Sequence, residues 1–288
     1  MSLLQVIVLA IVQGLAELLP VSSSAHVIIA EKLMGLDPAA PEMTLLLVML
    51  HTGTMFAVIV YFWNRWKHAF FEGTAGFKTF AVALILATVV TVIVGGGLTE
   101  GIEKVVFRNQ PHAWVEQLFD RLDLIAPALA AAGILILIAG FREGRGQSSK
   151  SSTAQIDNKK SVLIGAVQGI CLPFRGFSRS GATISTAMLA AIPRAAAEDF
   201  SFALAVLITP AAIGREVLRL LQTMHAGTPD TLHAALLPSL IGTVFAFLAG
   251  LVALKWLSQW LEAGRWYLFG IYCLVAAAVI EVLFHMGY

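Results

Sequence analysis

Four ionisable residues sit where an apolar chain has no ordinary use for them. Glu17 and His26 flank Pro20-Val21-Ser22-Ser23-Ser24, and Arg175 and Arg179 stand inside Pro173-Phe174-Arg175-Gly176-Phe177-Ser178-Arg179-Ser180-Gly181. An ionisable residue inside a membrane segment costs about 2.5–3.5 kcal/mol on insertion scales, so four amount to roughly 10 kcal/mol unless they are paired, hydrated or functional. Their types combine. Glu17 can act as a general base or share a metal ion, and His26 can carry a proton or attack directly. Ser22, Ser23 and Ser24 offer hydroxyls, one of them a candidate nucleophile. Arg179 presents a planar five-donor fork suited to phosphate oxygens. Gly176 and Gly181, with the hydroxyls of Ser178, Ser180 and Thr183, let backbone N–H groups approach an anion at the N-terminus of the next helix. The set reads as phosphate chemistry at membrane depth.

The elements that hold these residues follow from composition. The chain has 288 residues, 58% hydrophobic and 13% charged, with a mean hydropathy of +0.82. A soluble chain carries about 25% charged residues. Half that share excludes a soluble enzyme and a disordered chain, and a net charge of +1 gives no pull toward nucleic acid. A spanning helix needs about 20 mostly apolar residues. Runs at 43–64, 79–99, 124–141, 200–214, 231–254 and 266–280 predict six spanning helices. Three shorter runs, 1–16, 161–174 and 180–193, abut the two polar breaks. Backbone that leaves the helix at membrane depth is tolerated only where protein or a watery cavity satisfies it. Short helix, polar break, short helix predicts a re-entrant hairpin, twice.

The hairpins read as copies. Val12-Gln13-Gly14 ahead of Pro20 and the serines is matched by Val167-Gln168-Gly169 ahead of Pro173 and Ser178, 155 positions later. The expected fold is therefore an all-α polytopic membrane protein, six spanning helices plus two re-entrant hairpins in an inverted repeat. Residues 1–141 form the first repeat, 142–160 a cytoplasmic linker, and 161–288 the second, inverted repeat. Interrupted segments at matching places of inverted halves point to a midplane site. With both termini outside, the cytoplasmic loops carry 11 Lys and Arg against 6 outside, in accord with the positive-inside rule. The start has no Lys or Arg before Lys32, which predicts no cleavable signal peptide. Segment 99–123, rich in Glu and Asp, suits an acidic external loop with a surface helix.

The strings Gln13-Gly14-Leu15-Ala16-Glu17-Leu18-Leu19-Pro20-Val21-Ser22-Ser23-Ser24-Ala25-His26 and Gly176-Phe177-Ser178-Arg179-Ser180-Gly181-Ala182-Thr183 resemble the two signatures of bacterial undecaprenyl-diphosphate phosphatases. The stretch from Glu198 to Val206 is similar to another part of that family, and the likeness covers essentially the whole chain. The resemblance implies removal of the terminal phosphate from undecaprenyl diphosphate, which recycles the lipid carrier of cell-wall synthesis and gives bacitracin resistance. It implies an inner-membrane protein, a site open to the periplasm, and a divalent cation, Mg²⁺ or Ca²⁺. By motif position Glu17 is the base or metal-linked carboxylate, Ser23 the hydroxyl nucleophile, and His26 either its assistant or the attacking group. Arg179 clamps the diphosphate, with Ser178 and Thr183; Gln13, Arg175 and Ser180 complete the substrate contacts. The expected partners are a polyprenyl diphosphate lipid and membrane lipids, with a homodimer left open and no nucleic acid. Two departures stand out. Gln13 occupies the motif's first carboxylate position, so the cation is expected to arrive bound to the diphosphate. The second motif carries one extra residue, and Arg175 is equally placed to touch phosphate or headgroups.

Blander readings apply to other residues. Cys171 and Cys273 are reduced core thiols. His51 is a helix–helix hydrogen-bonding contact rather than a ligand. Ser22 and Ser24 are caps, Glu198 and Asp199 complement a helix N-terminus, and Arg215 and Arg219 snorkel to headgroups. Gly95-Gly96-Gly97 marks a helix end, and Trp63, Trp66, Trp256, Trp260 and Trp266 an interfacial belt. The rival function is a polyprenyl-phosphate flippase or inverted-repeat transporter, which needs no nucleophile–base–arginine set.

Overall fold

A long apolar run in lipid can satisfy its backbone only by becoming helical or joining a closed barrel. A computed structural model describes residues 1–38, 40–71, 74–108, 115–119, 121–144, 156–224 and 229–287. Among them are ten α-helices and no strand. In chain order they are α1 (Leu3–Leu18), α2 (Ser23–Leu33), α3 (Pro41–Phe71), α4 (Thr74–Val106), α5 (Leu122–Gly144), α6 (Asn158–Cys171), α7 (Arg179–Leu189), α8 (Arg194–Met224), α9 (Pro229–Glu262) and α10 (Trp266–His285). A 3₁₀ turn at Val115–Leu118 precedes α5. Six stretches are long and apolar enough to cross a membrane: Glu42–Lys67, Phe77–Val106, Leu122–Arg142, Arg194–Arg215, Leu236–Glu262 and Trp266–His285. The chain is a multi-pass membrane protein.

The other four helices are short. α1 and α2 have 16 and 11 residues and pack on each other; α6 and α7 have 14 and 11 and do the same. α1 lies against α9 and α6 against α4, while α5 pairs with α10 and α3 with α9. The Gln-Gly copies explain the first two pairings. A Cβ on Gly14 would stand 2.6 Å from Ala249 Cβ of α9, and one on Gly169 would stand 2.8 Å from Val94 Cβ of α4. Only hydrogen at these positions lets the helix backbones close together.

Several expectations change. Gly95-Gly96-Gly97 lies inside α4, with Gly95 packed against Leu172 at the end of α6. α4 runs on to Val106, carried past the apolar run by an i,i+4 pair in which Lys104 Nζ is 2.6 Å from Glu100. The described residues of segment 99–123 thus include the end of that helix, the 3₁₀ turn and the start of α5. α8 begins at Arg194, so Glu198 and Asp199 fall beyond its first turn; they pair instead with Arg65 of α3 at 3.3 and 3.1 Å. Glu198 also accepts from Ser258 of α9 at 2.5 Å, which ties three helices together. Trp66 and Trp266 belong to the buried core rather than a belt, and Trp266 Nε1 donates to Ser185 of α7. Cys171 and Cys273 are buried free thiols. Linker residues 145–155, loop residues 109–114 and 120, and 225–228 lie outside the described residues, as does the Arg219 side chain.

Candidate active site

The two breaks converge. Glu17 is the penultimate residue of α1 and Ser23 the first of α2. Between them the chain turns through Ser22, whose φ of 68° lies in the left-handed region that a residue with a Cβ seldom adopts. The His26 ring holds this turn, its Nδ1–H donating to the Ser22 carbonyl at 2.8 Å. The turn brings the Ser23 hydroxyl back onto Glu17, and Ser23 Oγ donates to Glu17 Oε2 at 2.5 Å. Gln13, one turn earlier on α1, donates to the same oxygen at 3.2 Å. Arg179 opens α7, and its Nη2 donates to Glu17 Oε1 at 2.6 Å. Ser178 caps that helix by accepting from Gly181 N at 3.2 Å. Gly176, at φ 101°, lets the break pass the Ile125 carbonyl of α5, which a Cβ would strike.

Glu17 and Arg179 are held in a mostly enclosed place, their side chains 15% and 20% exposed. They border a cleft of about 810 Å³ whose wall includes Gln13, Ser23, Glu31, Gln168, Arg175 and Arg179. Three buried polar atoms on this wall lack a hydrogen-bond partner among the described residues: Arg179 Nη1, Gln168 Oε1 and Glu31 Oε1. Leaving such groups unpaired costs about 1–3 kcal/mol each, more when charged. A guanidinium nitrogen without a partner, next to a hydroxyl held by a carboxylate, is chemically suited to an anion.

The predicted residues divide. Gln13, Glu17, Ser23 and Arg179 form one hydrogen-bonded group. Ser178, Ser180 and Arg175 line the same cleft, Ser180 bonding the Leu19 carbonyl at 3.2 Å and Arg175 lying 4.4 Å above the Phe119 ring. Thr183 is fully buried between α7 and α8, bonded to Ser201 at 2.5 Å. His26 turns away from Glu17: Nδ1 serves the Ser22 carbonyl, and Nε2 meets the Tyr272 hydroxyl of α10 at 2.7 Å. Ser22 occupies the N-cap of α2 without a side-chain cap bond, and pairs with Ser24 at 3.3 Å.

Sequence reasoning missed two groups in the cleft. His51 of α3 places Nε2 3.8 Å from Glu17 Oε2 of α1, so its contact between helices is with the site's own carboxylate. Glu31 lies two turns beyond Ser23 on α2, 1% exposed. The available signals were a charged residue in a short apolar helix for Glu31 and, for His51, a titratable side chain beside Thr52-Gly53-Thr54 in the middle of a spanning run.

A metal held by the protein alone does not fit these donors. Ca²⁺ takes six to eight oxygens, whereas Mg²⁺ keeps several waters and is held by one or two carboxylates together with substrate phosphates rather than by an all-protein cage. Glu17 already receives three donors, and no group of three or more His, Cys, Asp or Glu side chains placed to hold a metal occurs among the described residues.

Residues 6–279 match the family model described as bacitracin resistance protein BacA. The chain belongs to the BacA family. It is 57% identical over 286 residues to "Undecaprenyl-diphosphatase 2" of Acinetobacter baylyi, covering 98% of both chains. It is also 32% identical to an "Undecaprenyl-diphosphatase" of Desulfosudis oleivorans and 30% identical to one of Rhodopirellula baltica, over 97% and 98% of each chain. The likeness to these BacA relatives therefore includes both breaks and every helix between them.

Proposed function

We propose that this chain is an integral membrane phosphatase that hydrolyses undecaprenyl diphosphate to undecaprenyl phosphate and inorganic phosphate. The observation that carries the reading is Arg179, whose Nη2 bonds the same Glu17 carboxylate that Ser23 bonds and whose Nη1 has no hydrogen-bond partner among the described residues. The diphosphate enters the cleft with its terminal phosphoryl group on Nη1 and the hydroxyls near the start of α7, and Arg175 adds a contact at the wall. Ser23 Oγ attacks the terminal phosphorus and Glu17 Oε2 takes the serine proton. The bond from phosphorus to the bridging oxygen breaks, and lipid phosphate leaves. Water then cleaves the phosphoserine, and Glu17 returns its proton to Ser23. His26 is a positioning residue that fixes the Ser22 turn. A divalent cation accompanies the diphosphate as part of the substrate and offsets its charge. In this reading α1–α2 and α6–α7 are re-entrant hairpins of two inverted repeats, 1–141 and 161–288. The reciprocal pairing of α1 with α9 and α6 with α4 supports that symmetry. The excess of basic residues in alternate loops favours outside termini and a periplasmic cleft in the inner membrane.

Purified protein in detergent, given undecaprenyl diphosphate and Mg²⁺ or Ca²⁺, is expected to release inorganic phosphate. Full activity surviving both Arg179→Ala and Glu17→Ala overturns the reading.

A further inference from the structure

We propose that His51 is the base that takes a proton from the water hydrolysing phospho-Ser23, an inference that rests on the phosphatase reading above. The need for it comes from counting protons. In the first half of the reaction Glu17 Oε2 receives the serine proton as the Oγ–P bond forms and the bridging P–O bond breaks. The lipid phosphate leaves as an anion; phosphate monoesters have a second pKa near 6, so this departure needs no acid. Serine is a far poorer leaving group, so Glu17 must keep its proton and return it to Oγ when that bond breaks. A carboxyl group holding a proton for that purpose cannot also accept one from water. A second acceptor is required.

His51 has the geometry for it. Its Nδ1 lies 2.7 Å from the Leu47 carbonyl of the preceding turn. A carbonyl only accepts, so Nδ1 carries the hydrogen and Nε2 presents its lone pair. That nitrogen lies beside the reacting group: Nε2 is 3.8 Å from Glu17 Oε2, which itself holds Ser23 Oγ at 2.5 Å. Nε2 and an ionised Oε2 are both acceptors, so neither satisfies the other, and Nε2 has no hydrogen-bond donor among the described residues. A side pocket of about 10 Å³, lined by Glu17, His51 and Arg179, has room for about one water. The same ring also lines the main cleft with its side chain 38% exposed, which gives a water supply and an outlet for the proton. His26 lacks these features, since both of its nitrogens are bonded elsewhere. In the second half, the water oxygen bonds phosphorus, the Oγ–P bond breaks, the water proton goes to His51 Nε2 and Glu17 returns its proton to Oγ. His51 then loses its proton to the cleft, and both groups are reset.

The test uses the full chain in detergent with undecaprenyl diphosphate radiolabelled in its terminal phosphate, quenched in acid. His51→Ala is expected to release one equivalent of lipid phosphate in a burst and retain the label on Ser23. Its steady-state turnover should fall about 100-fold, within the usual range for a lost proton-transfer group. Added imidazole should restore turnover and clear the label. His51→Asn keeps a donor for the Leu47 carbonyl and should behave the same way, which separates lost chemistry from lost folding. Turnover at the wild-type rate in either variant, or slow turnover with neither burst nor label, overturns the proposal. Absence of phosphate release by the wild type would instead overturn the phosphatase reading itself.

Discussion

Glu17 and Arg179, 162 positions apart, meet at 2.6 Å, each the terminal charge of a helix broken by a proline-containing turn. Their side chains are mostly enclosed, so neither can lose its partner without leaving an uncompensated charge. Arg179→Ala should therefore lower thermal stability, by less than the about 3–5 kcal/mol of a fully buried pair because the pair borders an open cleft. The double variant Arg179→Ala with Glu17→Gln should recover part of that loss. Melting of the four proteins in detergent measures the coupling. Additive losses would mean that the pair contributes nothing beyond its separate contacts.

Arg179→Lys should not rescue activity. A lysine supplies one ammonium, whereas the arginine addresses Glu17 with one nitrogen and leaves another for substrate. Phosphate release should fall by about 100-fold or more, the usual effect of removing a preorganised donor from a developing charge.

The role assigned to His26 separates its two nitrogens. His26→Ala frees the left-handed Ser22 turn and should lower kcat strongly. His26→Asn retains a short donor for the Ser22 carbonyl and should recover much of it. Tyr272→Phe removes only the Nε2 partner and should cost about 2- to 13-fold, the loss of one hydrogen bond of about 0.5–1.5 kcal/mol. An Asn variant as inactive as the Ala variant would argue that the ring itself does chemistry.

Chelation divides substrate from protein. Because Glu17 is filled by Ser23, Gln13 and Arg179, removing divalent cations should abolish turnover yet leave the melting temperature of the substrate-free protein unchanged. A clear rise in melting temperature on adding Mg²⁺ alone would reveal a site that these donors do not provide.

Gly176→Ala tests the second break. It asks a residue with a Cβ to hold φ 101° against the Ile125 carbonyl, and strain of this kind costs about 1–3 kcal/mol. Loss of folded protein is expected, and the α7 start should shift enough to impair Arg179 in whatever remains.

The spans were legible because lipid leaves a long apolar run few alternatives, and the six stretches match the runs closely. The meeting of Glu17 with Arg179 was legible for a different reason: matched breaks imply matched depth. What spacing along one chain could not give was what lies opposite. His26 follows Ser23 by three residues and so shares a helix face with it, yet that face turns the ring to α10 and Tyr272. His51, in the middle of the first spanning run, arrives beside Glu17 because α3 packs on α1. Thr183 fits the phosphate motif but is consumed by Ser201, and Trp66 and Trp266 have interfacial composition but core positions. Glu31 aside, whose charge in a short apolar helix was a local signal, these misses concern tertiary neighbours that spacing along the chain does not encode.

The central claim is phosphate transfer to Ser23 under the control of Glu17 and Arg179. Inorganic phosphate released from undecaprenyl diphosphate by the purified protein, compared with folded Ser23→Ala, Glu17→Gln and Arg179→Ala variants, measures it most directly. Multiple turnovers by the wild type and near-complete loss in all three variants are predicted. Lipid moved between leaflets of vesicles without phosphate release, or release that survives in the variants, would contradict it.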